Sequence, residues 1–360
     1  MTKPRILAYR MDWFGRGMPE EDNIGPISYY RTIKPLELLK DKYDIKIIGG
    51  RYNALQVMEE IGDCDIFFTR HSDRTGGLAQ LLGASEYFNK PIIVDVDDNY
   101  FSIDGLSPNA FNFAPDSAAV GNIRFMLKNV TAMTVSTPPL IDVYKPICPD
   151  ISVCPNFMDA EDWQVPIKKR EDGRIVIGWQ GSITHESDFL TIEKVYKKLW
   201  QKYKKRIIFF FGGFMPVDVD KWLPEEAYQI DYGTSKMEEF PVKLAKWGFD
   251  IGLAPILKSD FNDCKSQIKW MEYAMLKVPT VATNFGPYRR HIKDKEDGFL
   301  CNTVDEWIER ISELADNKEM RESVGQKAYN RIVNEYQYKD KADIWDSVFK
   351  RFIGTGYKRV

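Results

Sequence analysis

Short runs rich in β-branched and aromatic residues recur along the first part of the chain: RILAYRM (5–11), DIKIIGG (44–50), DIFFTR (65–70), PIIVDV (91–96) and AMTVST (132–137). Between them, Pro26 to Lys40, Leu55 to Ile61 and Ala118 to Asn129 place apolar residues at helical spacing, and Thr137 followed by Pro138 reads as an N-cap and first-turn pair. Strands alternating with helices predict a sheet with helical crossovers.

The rhythm stops at PNFMDAEDWQVPIKKREDGR (155–174), a charged stretch with two prolines that reads as an interdomain linker. A second series follows, with RIVIGWQG (174–181), RIIFFFGG (206–213), AYQIDYG (227–233), FDIGLAP (249–255) and PTVAT (279–283). From Val304 onward the pattern is helical, with Trp307, Ile308, Ile311 and Leu314, then Trp345, Val348, Phe349 and Phe352, as core positions. The predicted fold class is α/β, with two Rossmann-like doubly wound domains facing a cleft. Residues 1–157 form the first, completed by a C-terminal helix at 338–360, and residues 158–337 form the second. A length of 360 residues, beyond the size at which one core keeps growing, fits two domains.

Charge narrows the function classes. The net charge is −3, with 16 Lys and Arg against 21 Asp and Glu over residues 1–159 and 34 against 32 in the remainder, so neither half carries a broad nucleic-acid footprint. No apolar stretch approaches the length of a membrane span, and MTKPRILAYRMDWF lacks a signal-peptide layout, which together predict a cytoplasmic protein. Cys64, Cys148, Cys154, Cys264 and Cys301 are dispersed without a CxxC pair, and the only histidines are His71, His185 and His291. That distribution argues against zinc and for reduced thiols, with Cys264 placed to act as a reactive one.

The segment DCKSQIKWMEYAMLKVPTVATNFGPY (263–288) carries the most chemistry. At about 100° per residue, Lys265, Lys269 and Glu272 fall within an arc of about 60°, with Ile268, Met271 and Met275 on the neighbouring face. Ammonium groups attract a diphosphate, and a carboxylate accepts hydrogen bonds from both ribose hydroxyls. The competing reading is a surface pair between Lys269 and Glu272 on a helix that merely covers the sheet. Elsewhere, Gly25 and Pro26 open a helix after the loop MDWFGRGMPEEDNI, either as an anion site or as a turn. TRHSD (69–73) and VDVDDNYF (94–101) follow strands and reach the cleft edge. There His71 is a candidate partner for a sugar hydroxyl, and Asp95, Asp97 and Asp98 are candidates to position an acceptor, to hold a cation, or to form caps and turns. The aromatic stretch NYFSIDGLSPNAFNFAP either covers the acceptor or pins a loop.

With these residues in view, the chain resembles GT-B-fold glycosyltransferases, and more closely the family 4 retaining type. The likeness is strongest from FDIGLAP through KSQIKWMEYAMLKVPTVAT to GPY, with IGWQGS (177–182), VCPNFMD (153–159) and DGFLC (297–301) in the expected order. The resemblance implies a nucleoside-diphosphate-sugar donor held by the second domain and an acceptor held by the first, without a catalytic metal or other cofactor. Glu272 would hold the ribose. Gly181 and Ser182 would approach the diphosphate through backbone and hydroxyl donors, with His185 beside them. The chain departs from the family pattern at Cys264, where many members carry a Glu. It departs again after Gly181, where SITHESD replaces the usual Arg and Lys, so Lys265 and Lys269 are expected to supply the positive charge.

The expected activity is transfer of a sugar to an acceptor hydroxyl with retention, with His71, Asp97, Lys265 and Lys269 as catalytic candidates. An inverting reaction would need Asp97 or His71 as base. The alternatives are a sugar-nucleotide epimerase on the same fold and a catalytically silent nucleotide-sugar-binding scaffold. The acceptor is open among glycan, lipid, protein, small molecule and modified nucleic-acid base. Arg31, Lys34 and Lys40 on the first helix give a weak cue for membrane recruitment.

Overall fold

The computed structural model describes residues 2–10, 24–49, 52–71, 75–103, 107, 110–167, 170–233 and 236–357. Most of the loop MDWFGRGMPEEDNI, Ser72 and Asp73 of TRHSD, and parts of NYFSIDGLSPNAFNFAP lie outside the described residues. Strands β1 (Arg5–Tyr9), β2 (Asp44–Ile48), β3 (Ile66–Arg70), β4 (Ile92–Val96), β5 (Ala132–Val135) and β6 (Ile151–Val153) form one parallel sheet in the order β2-β1-β3-β4-β5-β6. Strands β7 (Ile175–Gln180), β8 (Ile207–Gly212), β9 (Tyr228–Asp231), β10 (Ile251–Ala254), β11 (Thr280–Thr283) and β12 (Phe299–Cys301) form a second, in the order β12-β11-β10-β7-β8-β9. The predicted α/β class with two doubly wound sheets therefore holds. Each sheet reverses its winding once, between β1 and β3 in the first and between β7 and β10 in the second, and such reversals open a crevice beyond the strands' carboxyl ends.

Alternation along β1 sends Leu7 to one face of the first sheet and Ile6 and Ala8 to the other, each joining a different buried cluster. The second of these clusters is finished by the chain's last helix, Ala342–Lys350: Trp345 and Phe349 bring their rings to 6.0 and 5.4 Å from Phe68. The stretch read as a linker is packed. Phe157, Met158 and Trp163 are buried, and Met158 pairs with Gln337 in a short parallel bridge.

The first helix departs from the expected plain Pro26–Lys40. It is α-helical at Pro26–Ser28, π-helical at Tyr29–Ile33 and α-helical again at Lys34–Glu37. Pro35 explains the change, because it has no N–H to donate to the carbonyl four residues back, at Arg31. The wider turn buries Tyr29, Tyr30, Arg31 and Thr32 in succession. Arg31 forms a bidentate pair with Asp95 at 2.6 and 3.0 Å, donates to Asn156 Oδ1 at 2.9 Å, and lies over Trp345. A pair so far from water costs about 3–5 kcal/mol to break from one side. Lys34 binds Asp159 and Asp162. Of the three basic residues read as a weak membrane cue, Arg31 is thus buried and Lys34 is half-buried and ion-paired, while Lys40 is exposed. Among the described residues no helix is long and apolar enough to cross a membrane.

Thr137 does not cap the helix Pro139–Tyr144; its hydroxyl instead donates to the Cys264 carbonyl at 2.6 Å, joining the first sheet to the segment before the helix Ile268–Met275. Asn156 Nδ2 makes a parallel link to Ser266 Oγ at 3.0 Å.

Candidate active site

Beyond the carboxyl ends of β7 and β8 lies a cavity of about 490 Å³, walled on one side by Gln180, Gly181, Ser182, His185, Gly212, Gly213 and the helix Ile268–Met275, and on the other by Pro26, Ile27, Tyr30, Arg31, Asp97 and Asp98. It also reaches Ile256, just past β10, and so opens onto the reversal between β7 and β10, where the crevice rule places a ligand.

The helix turns Trp270, Met271 and Ala274 into the core and Lys269 and Glu272 toward the cavity. Glu272 is buried, so it is no surface ion pair. Its Oε1 accepts from the Tyr30 hydroxyl at 2.9 Å and its Oε2 from Gln180 Nε2 at 2.6 Å. Burial pushes its carboxyl up to about 7, against the opposing pull of Tyr30, Lys269 and Gln180. Burial and then the neighbouring Lys265 bring the Lys269 ammonium down to about 8. Its Nζ lies 3.1 Å from His185 Nε2 and 5.5 Å from the centre of the Trp179 ring. His185 Nδ1 in turn meets Asp188 Oδ2 at 2.6 Å, and burial with Lys269 holds the imidazole down at about 4, so it is neutral.

Lys265 is not on the helix. Residues 265–267 are irregular and the helix begins at Ile268, so the shared helical face expected for Lys265, Lys269 and Glu272 does not form, although all three line the cavity. Lys265 Nζ lies 3.8 Å from Asp98 Oδ1 and 4.4 Å from the Phe261 ring centre. It therefore bridges the two walls.

Gly181 lines the cavity, but its N–H donates to the Gly212 carbonyl at 2.9 Å and is not free for a phosphate. What this glycine provides is room: a Cβ there would come within 2.5 Å of the Trp179 ring. Gly213, at φ +87°, has the same function from β8, since its Cβ would meet the Gly181 carbonyl at 2.5 Å. The Ser182 hydroxyl lies at the rim, 2.8 Å from that of Thr184.

Gly25 is the residue before the first helix, and its carbonyl accepts from Tyr29 N–H; Pro26 and Ile27, not Gly25, line the cavity. Pro26 offers no N–H to an anion, which favours the turn reading. His71 also stands off the wall. Its ring is packed 4.1 Å from that of Tyr100, and burial and Arg70 lower it to about 3, which keeps it uncharged.

The three acids separate. Asp95 is consumed by Arg31 and Thr134. Asp97 lines the cavity and accepts from Arg70 and the Tyr100 hydroxyl, both at 3.3 Å; burial raises its carboxyl, but the charges of Arg70 and Arg31 hold it below the ordinary range. Asp98 is raised by burial against the pull of Lys265. Among the described residues no group of three His, Cys, Asp or Glu side chains could hold a metal ion. Cys264 is buried in the core cluster of the first sheet, and burial pushes its thiol up to about 11, so it is not the reactive thiol expected.

The far end of the cavity is apolar, formed by Met237, Phe240 and Trp247, whose indole N–H donates to Asp231 at 2.8 Å. Sequence reasoning missed Tyr30, Gln180, Asp188 and this apolar end. A polar Gln180 closing an otherwise apolar strand was the one readable signal.

Residues 268–331 match the family model described as glycosyl transferases group 1. No curated protein matches the sequence. Among solved structures, sucrose-phosphate synthase from Thermosynechococcus elongatus superposes with a TM-score of 0.67 at 9% identity, covering 98% of this chain and 100% of that one. A glycosyltransferase from Rickettsia africae gives 0.64 at 14% identity, covering 98% and 99%. HepE from Anabaena, solved with UDP-glucose, gives 0.63 at 10% identity, covering 96% and 99%. The chain thus has the GT-B fold of glycosyltransferases and the group 1 segment within it.

Proposed function

We propose that the protein transfers a sugar from a nucleoside-diphosphate donor to an acceptor hydroxyl, with retention of anomeric configuration. The observation that carries this reading is the adjacency of a buried carboxylate, Glu272, and a half-buried ammonium, Lys269, one helical turn apart on the wall of one cavity. Glu272 accepts the ribose hydroxyls. Lys269 and Lys265, with the Ser182 hydroxyl, face the diphosphate, and the base lies toward Met237, Phe240 and Trp247. Residues 1–157 with 338–360 serve the acceptor and residues 158–337 the donor. UDP-sugars are the first donors to test, since HepE was solved with one.

As the bond between the anomeric carbon and the phosphate oxygen breaks, charge grows on the diphosphate. A fixed ammonium stabilises that charge more than the ground state. The acceptor oxygen bonds to the same face of the anomeric carbon, and its proton passes to the departing phosphate. Asp97, held ionised by Arg70, orients the acceptor hydroxyl. His71, which stands off the cavity wall, is assigned no part in this step.

Nucleoside-diphosphate release across a panel of nucleoside-diphosphate sugars, with the product anomer assigned by NMR, tests the reading. Release with one donor and an unchanged anomer in the product is expected. An epimerised donor or binding without turnover would select the epimerase or scaffold instead.

Donor binding needs Glu272 ionised and is strengthened, to a smaller degree, by a protonated Lys269. Affinity therefore rises with pH toward about 7, as Glu272 loses its proton, and falls above about 8, as Lys269 loses its own. Titration calorimetry from about pH 5 to about pH 10 should give a bell with a narrow top. A flat profile would remove both groups from the site.

A further inference from the structure

Lys269 is held by a chain of contacts that ends outside the cavity. Asp188 is buried and does not line the cavity. Its Oδ1 accepts from the Leu257 N–H at 2.7 Å and from Asn262 Nδ2 at 3.1 Å, which leaves Oδ2 for His185 Nδ1 at 2.6 Å. Burial raises this carboxyl, yet His185, the Leu257 amide and Lys269 hold it below the ordinary range, so it is a carboxylate.

A carboxylate only accepts, so the proton between the two residues belongs to His185 Nδ1. The neutral ring then presents a lone pair at Nε2, and the ammonium of Lys269, 3.1 Å away, donates one N–H to it. The Trp179 ring occupies a second side of the ammonium. Lys269 itself lines the cavity. The other tautomer would set an N–H at Nε2 against the ammonium, donor to donor, and turn Lys269 away.

We propose that Asp188 is a positioning residue that fixes the His185 tautomer and thereby aims the Lys269 ammonium at the donor diphosphate. Its effect on turnover rests on the donor-site reading above; its effect on the tautomer does not. The Asp188→Asn variant distinguishes the two. The Asn oxygen is claimed by Leu257 N–H and Asn262, so the Asn amide N–H faces His185 Nδ1 and demands an acceptor there, which forces the proton to Nε2.

The experiment is imidazole 15N NMR of the whole protein. With three histidines in the chain, the His185 signals are assigned by the His185→Gln variant. In the parent protein His185 is expected neutral and protonated at Nδ1, and in Asp188→Asn protonated at Nε2. The kcat for nucleoside-diphosphate release should fall at least about tenfold with KM within about threefold. In a His185→Ala background the same substitution should add little further loss, because the link it acts through is gone. An Nε2-protonated or charged ring in the parent protein overturns the proposal even if Asp188→Asn does not fold. An unchanged tautomer in the variant overturns it as well. An inverted tautomer with unchanged turnover sustains the control of His185 and overturns instead the assignment of Lys269 to the diphosphate.

Discussion

Replacing Glu272 by alanine is expected to weaken nucleoside-diphosphate binding by about 100-fold or more. Two hydrogen bonds from ribose hydroxyls to a carboxylate are worth about 1.5–3 kcal/mol each, and about 1.4 kcal/mol is a factor of ten in affinity. The same truncation leaves the Tyr30 hydroxyl and Gln180 Nε2 without the oxygens they now reach. A buried donor left without a partner costs about 1–3 kcal/mol, so the melting temperature should fall too. Glu272→Gln separates the two effects. It keeps one acceptor oxygen and the side-chain volume, so it should melt closer to the parent protein while still binding nucleotide poorly. Calorimetric titration with UDP beside a thermal melt reads both quantities. Unaltered affinity in Glu272→Ala would remove the ribose contact whatever the melt shows.

The second large effect is expected at Lys269. Its ammonium lies on the cavity wall against His185 and the Trp179 ring, and in the proposed reaction it counts most when charge develops on the leaving diphosphate. Lys269→Ala should lower kcat by about 100-fold, in the range seen when one fixed donor to a developing anion is removed, and weaken donor affinity by far less. Equal losses in the two quantities would mean that Lys269 binds the ground state only. The substitution also removes the charge that, after burial, most lowers the His185 imidazole, so His185 should protonate at a higher pH in the variant than in the parent.

Each run that the sequence announced as a strand is a strand, buried in the sheet interiors and only partly covered at the edge strands β2 and β9. Two further strands were not announced. ISV at β6 and FLC at β12 are three residues long and gain their pairing from neighbours. The π-helical turn was not legible, because Pro35 acts four residues upstream, at Arg31, and the buried Asp95 that rewards the new register comes from another strand. Lys265 was misplaced for a similar reason: Asn156 and Thr137, both from the first-sheet half, hold Ser266 and the Cys264 carbonyl, and no side chain caps the helix earlier than Ile268.

Glu272 and Lys269 could be read as a cavity pair from spacing and charge alone. The Gly181 N–H could not, since its commitment to Gly212 depends on how β7 and β8 end together. His71 followed a strand toward the cleft, as expected, but the turn at Tyr100 covers it. Asp188 carried no mark of its own within SITHESD, since its burial depends on Leu257 and Asn262, which come from distant parts of the chain.

The most direct test of the donor site is a crystal structure of the protein with a bound nucleoside diphosphate. The account predicts both ribose hydroxyls on the Glu272 carboxylate, the diphosphate against Lys269 and Lys265 beside Ser182, and the base toward Met237, Phe240 and Trp247. A nucleotide seated elsewhere, or one whose diphosphate lies away from Lys269 with Glu272 still bound only to Tyr30 and Gln180, would contradict it.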